Sequence, residues 1–161
     1  MAVAASLMGA VTIASARTTT TSLSVQTAVA TGCNVSATAL GFGTYTPGAG
    51  AIPATTTIKF NCTNKTVFAV GLSVGTTSGA TYAQRLMASG ANTLQYNLYT
   101  TSGHGTVWGD GSGSTAVQSG VGNGTLSPTY FTVYGLLPDS TTNQTTAAGT
   151  YSDTIEVVVS Y

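Results

Sequence analysis

The residues in this chain that could do chemistry are few. Cysteine occurs twice, at Cys33 and Cys62, and histidine once, at His104. The carboxylates are Asp110, Asp139, Asp153 and Glu156, and the cations are Arg17, Lys59, Lys65 and Arg85. A catalytic histidine needs a nucleophile and an orienting carboxylate around it. His104 stands in a Gly-Ser stretch with no such signature. Two carboxylates can act as a glycosidase pair, but Asp139 follows a Leu-Leu-Pro turn and Asp153 opens an alternating run. Those are positions for turn and strand-start hydrogen bonds. Beside the cysteines, His104 is the only soft ligand, so no metal centre is expected. No C-x-x-C is present, so no redox pair is expected either. The reading is a protein that is not an enzyme, with no catalytic residues, no metal and no cofactor.

What the cysteines can do is pair. In an exported protein two cysteines suggest one disulfide, here Cys33 to Cys62. They lie 29 residues apart, and closing such a loop is worth roughly 3–4 kcal/mol in the chain-entropy account. Export is itself suggested by residues 1–16, an apolar run ending in Ala14-Ser15-Ala16. It reads as the h-region and small-residue cleavage site of a signal peptide, although no Lys or Arg precedes it. It is too short to span a bilayer. Composition fits an outside address. Charged residues make up 5% of the 161, with net charge zero, while 42% are apolar. Nucleic acid, which needs clustered Lys and Arg, is excluded as a partner. So is a partner steered by charge.

The elements that would position these residues are all strands. Ser22 to Ala30 alternates, with Leu23, Val25, Thr27 and Val29 on one face and Ser24, Gln26 and Ala28 on the other. It lies between a featureless Thr run and Thr31-Gly32-Cys33, an apolar strand at the free end of the chain. Leu40 and Phe42 alternate before a turn at Pro47-Gly48. Thr55–Thr63 is expected as a strand with Thr56, Ile58, Phe60 and Cys62 inward. Thr66–Gly75 follows with Phe68, Val70, Leu72 and Val74 inward. The short Asn64-Lys65 turn between them reads as a hairpin. Leu94–Tyr99 and Thr129–Gly135 are strands. Residues 101–124 read as a long Gly, Ser and Thr loop, with Trp108 packing it onto the body, and residues 140–149 as another loop. Tyr151–Tyr161 is the last strand, with Ile155, Val157, Val159 and Tyr161 on one face. No helical stripe and no repeat occurs. Short strands and turns throughout imply a β-sandwich. Such a sandwich leaves the final strand at an edge, and an uncovered apolar edge invites another strand.

In this order and spacing, several short motifs together resemble one family. They are Thr31-Gly32-Cys33, Leu40-x-Phe42-Gly43-x-Tyr45, Phe60-x-Cys62, Arg85-x-Met87 and Leu94-x-Tyr96-Asn97-Leu98-Tyr99. Val107-Trp108-Gly109-Asp110-Gly111, Tyr134-Gly135 with Pro138, and Gly149-x-Tyr151-Ser152-Asp153 before a Val strand complete the set. The chain resembles the spore coat protein U domain family, which includes the major subunits of archaic chaperone–usher pili such as the Csu pilus. The family pattern has an aliphatic residue where Thr27 stands.

The resemblance implies an all-β, incomplete immunoglobulin-like β-sandwich, completed by a donor strand from a neighbouring subunit. It implies three parts: a signal peptide over 1–16, a donor strand over 17–31 and a sandwich body over 32–161. Leu23, Val25, Thr27 and Val29 would be the donor residues. Ile155, Val157, Val159 and Tyr161 would be the acceptor groove. The implied partners are identical subunits in a linear fibre, with a periplasmic chaperone and an outer-membrane usher during assembly. The implied address is a pilus on the cell surface, serving adhesion and biofilm formation. Two other readings are a secreted coat protein that does not polymerise and a carbohydrate- or surface-binding module using residues 101–124.

Overall fold

Alternating apolar residues become strands only where a neighbour supplies the other half of the ladder. The computed structural model describes residues 18–161. The signal peptide expected over 1–16 lies outside the described residues. Among the described residues eight strands form, in chain order: β1 (Cys33–Ala37), β2 (Ile52–Cys62), β3 (Val67–Leu72), β4 (Arg85–Ser89), β5 (Asn92–Tyr99), β6 (Gln118–Val121), β7 (Thr129–Leu137) and β8 (Val157–Ser160). One sheet has the order β1-β2-β7-β5-β4 and the other β6-β3-β8. All pairings between these strands are antiparallel. The fold is an all-β, immunoglobulin-like sandwich.

The core lies between the sheets. Ile58, Phe60 and Cys62 of β2, Phe68, Val70 and Leu72 of β3, and Tyr96 and Leu98 of β5 are all buried, together with Trp108 and Val133. Phe60 and Phe131 of the larger sheet each face Phe68, with ring centroids 5.2 and 5.9 Å apart. Cys33 and Cys62 are disulfide-bonded and stand opposite each other in the β1–β2 register.

The hairpin expected from Thr55–Thr63 and Thr66–Gly75 does not form. β2 and β3 belong to different sheets, and the chain crosses between layers at Asn64-Lys65, where Lys65 takes a left-handed φ of 63°. The physical reason is that both segments carry a continuous apolar face. Side by side in one sheet, those faces would form a single surface still needing a cover. Folded across the sandwich, they cover each other.

Residues 101–124 also depart from the expected loop. They contain β6 and two isolated bridges, Tyr99 to Val107 and Trp108 to Ala116. Trp108 is fully buried, and its indole N–H donates to the Val70 carbonyl at 2.9 Å, as its expected packing role requires. β7 continues two residues past Gly135 to Leu137, where a turn was expected. Within 140–149 there is a single helical turn, Thr141–Gln144, capped by the Ser140 hydroxyl. The last strand is shorter than Tyr151–Tyr161. Ser152 bridges Ala88 at the edge of the larger sheet, and only Val157–Ser160 pairs with β3. The segment between them crosses from one sheet to the other.

Candidate strand-docking groove

The two sheets part along one side. β8 is the edge of its sheet, bonded to β3 on one flank only. Facing it, the chain after β1 runs through residues 38–46 without secondary structure, although Leu40, Phe42 and Tyr45 are half-buried. Between these two edges lies an open cleft of about 500 Å³. Its floor is Ile58, Leu72, Leu98 and Val133 from the core, and its walls include Leu40, Phe42, Ile155 and Val157. A second cavity of about 620 Å³ shares Leu40, Phe42, Met87 and Tyr151 with the first and prolongs it toward Tyr45, Leu94 and Leu137. Gly135 in β7 lets the wall residues pack closely on the sheet, since a Cβ there would lie 2.7 Å from Leu40 and 3.0 Å from Phe42.

Three polar devices frame the cleft. At its rim the Tyr96 hydroxyl donates to Asp153 at 2.7 Å, and the same carboxylate accepts from the Thr76 and Thr77 amides at 2.9 and 3.3 Å. Burial pushes the Asp153 carboxyl up, but the hydrogen bonds from Tyr96 and Thr76 outweigh it and hold the group below its ordinary range. The same contact, after burial, pushes the Tyr96 hydroxyl well up. Gly75, at a φ of 101°, packs so closely on Asp153 that no side chain fits.

Farther along, Asp139 accepts from the Tyr45 hydroxyl at 2.5 Å and from the Gly48 and Gly50 amides at 3.1 and 2.9 Å. These bonds lower its carboxyl to about 2. Burial and the bond to Asp139 raise Tyr45 to about 12.

Beneath the cleft, the fully buried Arg85 donates to the carbonyls of Ser73 and Trp108 and to the Asn97 side chain, at 2.7–2.9 Å. It ties β4, β5, the end of β3 and the Trp108 segment into one frame. Burial pulls its guanidinium below the usual value.

Leu23, Val25 and Val29 are between 81% and 87% exposed, and Thr27 is exposed as well. Residues 18–32 form no strand within the chain. Of the expected acceptor residues, Ile155 and Val157 line the cleft, and Val159 packs against the core beyond it. Tyr161 is 60% exposed and does not line the cleft. Sequence reasoning did not assign Leu40, Phe42, Met87 or Tyr151 to this site. The alternation of Leu40 and Phe42 was visible, but only the missing neighbour turns those residues into a groove wall.

An immunoglobulin-like sandwich with an open seam, and an apolar arm that is exposed among the described residues, is the class that this geometry defines. The chain belongs to the Spore Coat Protein U domain family, whose family model matches residues 19–158. Among solved structures it is similar to a chain of the crystal structure of the CsuC–CsuE chaperone–tip adhesion subunit pre-assembly complex, from archaic chaperone–usher Csu pili of Acinetobacter baumannii. The two share 22% identity at a TM-score of 0.60, over 83% of this chain and 40% of that one. This chain therefore spans less than half the length of that relative. No curated protein matches in sequence. Among the described residues, no helix is long and apolar enough to cross a membrane.

Proposed function

We propose that this protein is a structural subunit of a chaperone–usher pilus, and that its N-terminal arm completes the open groove of a neighbouring copy. The observation that carries this reading is the coexistence of an apolar cleft beside the β8 edge and an alternating apolar arm with no strand partner among the described residues. Adding a strand to an exposed edge is an established recognition mode, and pilins are known to use it. Burying Leu23, Val25 and Val29 would contribute on the order of 1.5–3 kcal/mol each. Ladder hydrogen bonds add roughly 1 kcal/mol net apiece.

In this reading residues 1–16 are removed on export, residues 17–31 are the donor strand and residues 32–161 are the body. A periplasmic chaperone covers the groove until an outer-membrane usher exchanges it for the next subunit's arm. The fibre then stands on the cell surface and serves adhesion and biofilm formation. The part played is mechanical, not catalytic.

The test is a gel of unboiled fibres beside electron microscopy. The full chain is expected to give a ladder of polymers. Deleting residues 17–30 should leave a folded body that accepts an arm but donates none, and so caps fibres. Long fibres from the truncated chain would overturn the proposal in favour of a self-contained coat protein.

A further inference from the structure

Of the three methionines in the chain, Met1 and Met8 fall within the expected signal peptide, so Met87 is the sole methionine of residues 17–161. It stands where the two cavities meet, since Leu40, Phe42, Met87 and Tyr151 line both. A strand laid along the whole seam must pass over it. β4 fixes it in place. Met87 pairs with Leu94 of β5, and its neighbour Ala88 exchanges amide–carbonyl bonds with Ser152 at 2.9 and 3.1 Å. The side chain packs against the core but is only half-buried, so a small molecule entering the open cleft meets it.

The other side chains that a peroxide oxidises readily are closed to it. Cys33 and Cys62 are joined to each other, and Trp108, the single tryptophan, is fully buried. The arm, residues 17–31, contains no sulfur at all. A thioether is soft and apolar, and suits a groove wall that an apolar strand must cover. Its sulfoxide is polar and still lies in that wall. A strand seated over it would bury a strong dipole among Leu40, Phe42 and Leu94, which costs free energy unless a donor is found.

Building on the strand-donation reading, we propose that Met87 is an oxidation site that gates the groove. A peroxide converts it to the sulfoxide while the groove is empty, and a seated arm shields it. The sulfur lone pair attacks one peroxide oxygen, the S–O bond forms and the O–O bond breaks. Sulfur gives up two electrons, and the second oxygen leaves as water with the proton of the first. The modified subunit keeps an unaltered arm, so it still donates but no longer accepts. Oxidation before assembly thus turns a subunit into a chain end, and methionine sulfoxide reductases provide the way back.

The test exposes the full chain to hydrogen peroxide, once before assembly and once as finished fibres. Peptide mass spectrometry should find one added oxygen at Met87 in the unassembled chain, and several-fold slower addition in the fibres. The oxidised chain should capture arms about tenfold less well or worse, the effect of one buried dipole without a partner, and so lose most of its unboiled ladder. Treatment with a methionine sulfoxide reductase should restore the ladder. Met87→Leu, which keeps the apolar bulk, should give a full ladder with or without peroxide. Trp108 fluorescence should be the same before and after oxidation, which separates a blocked groove from an unfolded body. Equal oxidation of Met87 in free chains and fibres, a full ladder from the oxidised chain, or a shifted Trp108 emission overturns the gate while leaving strand donation standing. Failure of the untreated chain to give a ladder removes both.

Discussion

The Arg85 guanidinium donates to the side-chain oxygen of Asn97 across 2.7 Å, with both residues buried. Asn97 passes the connection on, donating from its own nitrogen to the carbonyls of Tyr82 and Ala83 at 2.9 and 3.1 Å. A cation is thereby held among neutral acceptors on three segments of chain, at Leu72–Ser73, Asn97 and Trp108. Arg85→Ala would leave several carbonyls buried without donors, and we expect a loss on the order of 3–5 kcal/mol. Arg85→Lys keeps the charge but not the planar fork, and should recover only part of it. Urea unfolding of the monomeric body measures both.

The Asp139–Tyr45 clamp makes the end of the groove pH-sensitive. Asp139 titrates at about 2 when folded, against 3.8 for its unperturbed value. A lowered carboxyl contributes stability that is complete above the unperturbed value and is lost as pH falls through about 2. Tyr45, raised from 10.0 to about 12, contributes stability that is complete below 10 and is lost as pH rises through about 12. Asp139→Asn should flatten the acid limb between pH 4 and 2, read by thermal melts across pH. An acid limb identical to that of the unmodified chain would remove the clamp as its cause.

Reducing the disulfide should weaken the body without unmaking the fold. A loop of 29 residues corresponds to about 3–4 kcal/mol in the chain-entropy account. The melting temperature should fall on reduction, and the arm root should gain mobility in amide exchange at Gly32 and Thr63.

Within the strand-donation reading, Thr27 is the weak point of the arm. Its hydroxyl must find a partner or lose one when buried. Thr27→Val should therefore strengthen the joint and raise the temperature at which the unboiled ladder collapses. Val25→Asp should abolish the ladder, because an unpaired carboxylate cannot be buried in an apolar cleft. A ladder of unchanged heat stability in both variants would place the arm outside the groove.

Much here could be read from residue order alone, because alternation is a local property. Ile58, Phe60 and Cys62 share a face in any strand they form, as do Ile155, Val157 and Val159, since successive side chains point to opposite sides. With two cysteines only one intramolecular pairing exists. Leu23, Val25 and Val29 share a face by the same rule, and among the described residues they are exposed and in no strand. What the tertiary structure alone decided is which faces meet. Whether β2 turns back on β3 in one sheet or arches over it depends on which apolar surfaces are left to cover, and that sum runs over the whole chain. For the same reason Arg85 gave no sign in the sequence of being buried among acceptors, since these come from residues 72 to 108. The groove follows the same rule. It is the place where Leu40 and Phe42 face Ile155 and Val157 with no strand between them, and a missing neighbour becomes visible only once every other strand has found its own.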